Sequence, residues 1–483
     1  MRRSEAAGYA AGAILLVIGL TAVVSFGSIR DRLLFLSQDN EIVPHTLLQL
    51  RLVLIGLGVA GLVLMLKRPF SRLLAQLNFR IGQLSRKQFL VIFLSTAVVF
   101  RVMALFLPFH LWGDWQTYNM LAAEWAKTGS YSVDGIPYAY RPPVYPFFLM
   151  IIYEIFGQVP RLGAGFNVVF STGIVYLSYR IVQIIWGDRK ARLTAIILVF
   201  FPSQILFTNK LATEPLFTML LLSGLYFMLF AVRRKKYALI FLGGMTLGIA
   251  ALTRAIALAY IVIPVLYLFL QKGTIRQKTR NAMLLVLGLI LVVVPWMYRN
   301  YDLKGSFTIA TNTGINLLIG NAPGSGMGWN QDITEQFDAG DPRQQVYVDS
   351  AATAMAIEYI QSDPIGFIKR GVLKLGYFYA VDMEGVWNEL VIAADENRFD
   401  NYVLTGLLAE SYYLVLLMFA VFGLYRYARM RDIRSPGGFL LWGTILYWTA
   451  VHFVFFGDGR FHFPIIPMIA AFASLMLIHQ TEE

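Results

Sequence analysis

Apolar residues in this chain gather into long runs separated by short polar breaks. The runs at 10–28, 47–66, 88–108, 164–186, 191–209, 215–232, 237–253, 256–271, 281–297, 402–425, 436–456 and 462–480 each come near or exceed membrane-spanning length, roughly 20 residues for a hydrocarbon core of ~30 Å. They predict an all-α polytopic membrane protein of about twelve transmembrane helices, with both ends on one side. Residues 142–157 form a shorter run opened by Pro142 and Pro143, which predicts a re-entrant or interfacial helix. Between Asp363 and Tyr379, Ile365, Ile368, Val372 and Leu375 recur at helical spacing among Lys369, Arg370 and Lys374, the pattern of a helix lying on the membrane surface. Residues 67–87 read the same way, with Phe70, Leu73, Leu74, Leu77, Ile81 and Leu84 on one face and arginines on the other. Residues 298–363 are the one sizeable polar segment, with Gly/Asn-rich turns followed by a predicted helix over 344–361; this is a small cap, too short for an independent catalytic domain. Gly244 and Gly248 form a small-xxx-small pair suited to close helix packing.

The polar breaks carry the orientation. Basic residues crowd 67–87, 186–192 (WGDRKAR), 233–236 (RRKK), 272–280 and 426–434, which puts these breaks and both termini in the cytoplasm. The first apolar run follows Met1-Arg2-Arg3 and lacks a small-x-small cleavage site, so it is expected to stay as an anchor. The organisation is then a two-helix extension with a cytoplasmic amphipathic helix (1–87), a membrane core (88–297) with a first outer loop (109–163), an outer cap with its interfacial helix (298–380) and a three-helix C-terminal segment (381–483). Composition agrees: 57% of residues are hydrophobic and 14% charged, too apolar for a soluble enzyme of 483 residues. The absence of cysteine excludes disulfides, thiolate zinc sites and cysteine nucleophiles. A net charge of +12 sits mostly in the short basic breaks, which favours anionic lipid over nucleic acid as the partner.

The candidate chemistry lies on the other side. The stretch Leu111–Pro146 (LWGDWQTYNMLAAEWAKTGSYSVDGIPYAYRPPVYP) is polar, aromatic and acidic where a plain linker would suffice. With it, the orientation places Asp114, Arg141, Lys210, Glu214, Arg254, Arg299, the turns at 312–321, Asp458 and Arg460 on one outer face. Charged groups at helix ends are costly toward the bilayer centre and are usually kept for a partner or substrate. Simpler roles remain open: Asp114 as a helix cap, Glu214 as a carboxylate favoured by a helix dipole, Arg141 and Arg254 as interfacial arginines. No group of histidines and acids shows metal-ligand spacing, although Asp114 and Glu214 leave a shared divalent cation open. An outer face has no nucleotide-sugar supply, so a donor there must arrive activated on a lipid phosphate. Transfer needs a carboxylate to take the acceptor proton and arginines to hold the departing phosphate. Asp114 suits the first role and Arg141 with Arg254 the second; Glu214 would orient the acceptor or help hold a cation, and Tyr118 and Tyr140 could stack on sugar. One base acting in direct displacement implies inversion.

In these stretches the chain resembles the bacterial family 39 glycosyltransferases, integral-membrane C-type enzymes related to dolichyl-phosphate-mannose protein mannosyltransferases and lipid A aminoarabinose transferases. The resemblance rests on Gly113-Asp114 with Tyr118, YRPPVYPFF at 140–148, WGDRKARLTAIIL at 186–198, LATEPLFTMLLL at 211–222, LTRAIAL at 252–258, the run from 295 to 326, and FFGDGRFHFPIIPMI at 455–469. It covers the chain from about residue 88 onward. It implies a GT-C fold, a polyprenyl-phosphate sugar donor, Asp114 as catalytic base and Glu214 as second-loop acid; Asn321 and Arg460, placed on the same outer face, are further candidate substrate-binding residues. Trp115 stands where the family often has a second acid, and acceptor recognition would fall to 298–380 or a partner. The expectation is an inverting transferase in the cytoplasmic membrane of a prokaryote, moving a sugar to an envelope lipid, glycan or protein. The alternatives are a transporter or flippase of lipid-linked sugars and a lipid-diphosphate-dependent oligosaccharide ligase.

Overall fold

Prolines and capping residues cut the apolar runs into helices. The computed structural model describes residues 12–20, 43–66, 76, 79–323, 328–337, 341–382, 384–386, 396–429 and 435–477. Ser85 and Gln88 form a capping box that starts α1 (Arg86–Ala104). Then come α2 (Gly113–Thr128), α3 (Val144–Phe156), α4 (Asn167–Trp186), α5 (Asp188–Val199), α6 (Thr213–Arg234) and α7 (Tyr237–Ala251). A second capping box, Thr274 with Gln277, starts the 30-residue α8 (Ile275–Lys304), which Gly305 ends in the left-handed conformation. The cap holds α9 (Thr313–Asn321) and α10 (Gln345–Ser362), and α11 (Pro364–Ala380) follows. The chain closes with α12 (Glu396–Arg429), α13 (Pro436–Val454) and α14 (Ile466–Leu477). The strands among the described residues are one two-residue hairpin, Ser132–Val133 against Ile136–Pro137.

Seven described helices are long and apolar enough to cross a membrane: Arg86–Ala104, Pro160–Trp186, Thr213–Arg234, Ile275–Lys304, Leu404–Arg429, Pro436–Val454 and Gly459–Leu477. This is an all-helical polytopic membrane protein, as its hydrophobic pattern predicts. Not every run forms the expected span. The run at 191–209 is broken, α5 and the turn from Pro202 to Asn209 meeting at 58°. Pro202 supplies no N–H, and proline disfavours helix at the residue before it. The carbonyls thus freed at Leu198 and Val199 accept from the Arg101 guanidinium at 3.2 and 3.4 Å, while its Nε donates 2.6 Å to Ser171. Arg101 is fully buried inside a membrane span, and the pattern of apolar runs missed it. The run at 237–253 gives a 15-residue helix, and that at 256–271 two pieces, Ala257–Tyr260 and Val262–Leu270. The run at 10–28 is described only over 12–20, and most of the amphipathic segment 67–87 lies outside the described residues.

Helix α7 packs between α6 and α8. A Cβ on Gly244 would stand 1.9 Å from the Leu285 carbonyl oxygen, so the small-residue pair does seat α7 directly on the α8 backbone. The segments expected to stay at the surface fold as helices close to their predicted limits: α3 for 142–157, α10 for 344–361 and α11 for 363–379.

Candidate functional site

Four separate pieces of chain meet at one end of the helix bundle, and each is held there by its own polar framework. The first is the start of α2. Its N-cap is Trp112, which makes no side-chain cap, and Asp114 lies in the first turn with its carboxylate turned elsewhere. Asp114 is therefore not the helix cap that its position allowed.

The second piece is the loop carrying Tyr140 and Arg141. Glu124 accepts from Ser132 Oγ at 3.0 Å and from the Asp134 and Gly135 amides at 3.3 Å, which ties the hairpin turn to α2. Arg299, on α8, donates to the carbonyls of Tyr138 at 2.7 Å and Tyr131 at 2.9 Å, and the Tyr131 hydroxyl donates 3.0 Å to the Arg141 carbonyl. Arg299 thus holds the loop and stays outside the ion pairs of the cluster.

The third piece is the start of α6 with the turn after α7. Glu214 is buried in the first turn of α6, and its Oε1 accepts from Arg254 Nη1 at 2.6 Å. The same Nη1 donates 3.1 Å to Thr213 Oγ1. The Val144 amide bonds the Leu252 carbonyl at 3.0 Å, joining this turn to the Arg141 loop.

The fourth piece is the loop Phe455–Phe461. Asp458 caps the 3-10 turn Gly459–Ile465 by accepting from the Arg460 amide at 3.0 Å. Gly457 and Gly459 let this loop lie against backbone: a Cβ on either would stand 2.3 Å from the carbonyl oxygen of Lys374 or Val381. His452 and His462 are buried within the same framework. His462 faces the Phe378 carbonyl at 2.7 Å and Asp382 Oδ1 at 3.0 Å, and His452 faces the Phe456 carbonyl at 3.0 Å.

These pieces put Asp114 between two arginines, with Oδ1 at 2.5 Å from Arg141 Nη2 and Oδ2 at 3.1 Å from Arg460 Nη1. The Arg141 guanidinium also lies 5.8 Å from the Tyr118 ring and 5.3 Å from the Tyr140 ring. Arg254 and Arg460 approach the single ring of Phe461 at 5.3 and 5.1 Å, so the Glu214–Arg254 pair and the Asp114–Arg460 pair share one aromatic wall. Lys210 stands 5.2 Å from the Trp115 ring nearby. Of the eight residues expected to carry catalysis or substrate binding, Asp114, Glu214, Arg141, Arg254, Tyr118, Tyr140 and Arg460 fall in this one cluster. Asn321 does not: it is fully buried at the end of α9, donating 2.9 Å to the Val454 carbonyl and accepting from Lys374 Nζ at 3.3 Å.

The electrostatics are uneven. Burial alone would push the Asp114 carboxyl up, but Arg141, Arg460 and Arg254 more than reverse this and hold it at about 2. Glu384 goes the other way: burial, reinforced by the carboxylates of Asp458 and Glu214, raises it to about 8 against the pull of Arg460 and Lys210. Sequence reading did not single out Glu384. The hint was there, since Asp382 and Glu384 interrupt an otherwise apolar stretch directly after α11. Among the described residues, no three histidine, aspartate or glutamate side chains gather as metal ligands; the acids of this cluster are met by arginine instead.

Residues 140–298, which carry Arg141, Glu214 and Arg254, match the family model of dolichyl-phosphate-mannose-protein mannosyltransferase. The resemblance read from the motifs is borne out over this segment. No curated protein matches the chain. Among solved structures, the oligosaccharyltransferase of Archaeoglobus fulgidus, in complex with Zn and sulfate, is similar at 15% identity with a TM-score of 0.48, over 80% of this chain and 48% of that one. ArnT from Cupriavidus metallidurans, bound to undecaprenyl phosphate, is similar at 15% identity with a TM-score of 0.42, over 81% of this chain and 76% of its own. This chain thus spans about half the length of the archaeal enzyme.

Proposed function

We propose that this chain is an inverting glycosyltransferase that moves a sugar from a polyprenyl-phosphate donor to an acceptor in the cell envelope, at the extracytoplasmic face of a prokaryotic inner membrane. The observation that carries the reading is the Asp114 carboxylate gripped by Arg141 and Arg460, beside the Glu214–Arg254 pair. Two arginines converging on one carboxylate can equally converge on the oxygens of a phosphate, which guanidinium binds in the same forked geometry. In the resting enzyme Asp114 stands where the donor phosphate would draw these side chains.

The roles follow. The donor phosphate engages Arg141, Arg254 and Arg460 and loosens their hold on Asp114. Freed of part of that positive field, the carboxylate gains proton affinity and becomes a competent base. The acceptor hydroxyl oxygen attacks the anomeric carbon from the face opposite the phosphate. Its proton passes to Asp114, the bond from carbon to phosphate oxygen breaks, and the arginines hold the charge left on the polyprenyl phosphate. Glu214 keeps Arg254 aimed, and Tyr118 and Tyr140 flank Arg141 where a sugar face would stack.

The test uses purified protein with a panel of polyprenyl-phosphate sugars and an envelope lipid extract, following release of free polyprenyl phosphate. Wild type releases carrier, and Asp114→Asn lowers turnover by about 10²-fold or more, the usual worth of a general base, while donor binding persists. Equal loss of binding and turnover would make Asp114 a structural residue only. Donor binding without release, with every acceptor in the extract, would instead favour a transporter.

A further inference from the structure

The end of the bundle opposite Asp114 holds a second cluster of arginines, and it surrounds a cavity. About 330 Å³ of space opens between the start of α1, the ends of α4 and α6 and the start of α5, lined by Arg86, Arg180, Arg233 and Arg234 together with Asp188 and Gln183. Among the described residues, one carboxylate lines the cavity with these four guanidinium groups, and it is already shared. Asp188 accepts from Arg192 Nε and Gln183 Nε2 at 2.6 Å and lies 3.6 Å from Arg86.

Arg180 is the most telling of the four. Its Nη1 donates 2.8 Å to the Tyr176 hydroxyl, its guanidinium lies 5.7 and 5.3 Å from the rings of Tyr176 and Tyr226, and its Nε is buried with no hydrogen-bond partner among the described residues. Arg233 reaches one carbonyl, that of Ile184, at 3.5 Å, and Arg234 lies 5.9 Å from the Phe230 ring. A concave site with excess guanidinium, a buried donor left open and a share of apolar lining is built for an anion.

We infer that this cavity binds the phosphate of an anionic membrane lipid. A lipid fits better than a free anion because the cavity lies at the ends of membrane-spanning helices, and because Ile184 and Phe230 line it beside the arginines. Basic pockets between helices at the cytoplasmic surface suit such head groups. The inference rests on this cavity alone and is independent of the chemistry at Asp114.

The experiment titrates phosphatidylglycerol, phosphatidylcholine or inorganic phosphate into the purified full-length protein, reading bound lipid by native mass spectrometry and the thermal midpoint in parallel. Phosphatidylglycerol binds wild type and raises its midpoint; phosphatidylcholine and inorganic phosphate do neither. Arg234→Gln and Arg180→Gln each weaken phosphatidylglycerol binding by about fivefold, the usual electrostatic worth of one basic side chain at an anionic membrane surface. Arg234 is exposed, so its variant keeps the test valid if Arg180→Gln fails to fold. Equal affinity in wild type and Arg234→Gln, or equal binding of phosphatidylcholine, overturns the site. Protection by inorganic phosphate to the same extent overturns the lipid assignment.

Discussion

At the scale of single residues, the notable fact about Asp114 is that its resting state is wrong for its proposed task. A carboxylate held at about 2 by neighbouring arginines is a weak base. Because its value is depressed, this pairing stabilises the fold at neutral pH and loses that contribution only as pH falls below the ordinary carboxylate value of 3.8 toward 2. The acid limb of activity should therefore belong to the donor complex, where the arginines are occupied by phosphate. Arg254→Ala should weaken binding of sugar-free polyprenyl phosphate by about tenfold or more, the usual worth of a charge-assisted hydrogen bond; unchanged affinity would remove Arg254 from the phosphate site. Glu384 supplies the alkaline limb. Burial and the Asp458 carboxylate raise its carboxyl well above the ordinary range, so that it gains its charge only as pH rises past neutrality, in the field of the arginine that would hold the phosphate. Carrier affinity should then fall as pH rises from 7 to 9, and Glu384→Gln should abolish that fall. An identical pH profile in the variant would place the titrating group elsewhere.

At the scale of elements, the site is a set of loops held at fixed approach by backbone contacts. Gly459 makes the plainest case. Alanine there would press on the Val381 carbonyl, and relief must come from moving the Arg460 loop or the end of α11. Gly459→Ala should cost about 1–3 kcal/mol of stability, typical of overpacking, and weaken carrier binding without touching a charged group; thermal melts and binding assays would show both, and an unchanged melt would mean that the loop has slack. Much of this level was legible in the sequence. The helices expected at the surface show this: α3 is opened by Pro142 and Pro143, and α11 carries its apolar spacing behind Pro364. The ion-pair partners were less so: Arg141 and Arg460 are 319 positions apart in the numbering, and only the fold brings both to Asp114. Asn321 looked like a site residue because it sits among turns that the charge pattern assigns to the outer face, yet its side chain is spent joining α9 to α11 and α13. The break in 191–209 was half legible, through Pro202, but nothing local announces that Arg101, about a hundred positions earlier, would satisfy the freed carbonyls.

At the scale of the whole molecule, the two ends differ in chemistry. One gathers the balanced acids and arginines around Asp114, and the other the excess arginine around Arg180. If the first faces outward, a cysteine placed in the cap and one placed in a basic break should label from opposite sides. The absence of native cysteine makes the experiment clean. Tyr347→Cys, at a position 73% exposed, should react with a membrane-impermeant maleimide in intact cells, and Ile275→Cys, at 69%, only after permeabilisation; the reverse pattern would invert the proposed topology. Arg101 bears on how such a molecule is made. Arg101 lies in the last turn of α1, where an arginine opposes membrane insertion by less than the ~2.5–3.5 kcal/mol it costs at a helix centre. Its partners, Ser171 and the carbonyls of Leu198 and Val199, are synthesised some 70 to 100 residues later. Until α4 and α5 are in place the Arg101 guanidinium lacks these partners, so the seating of α1 is complete only when all three helices are together.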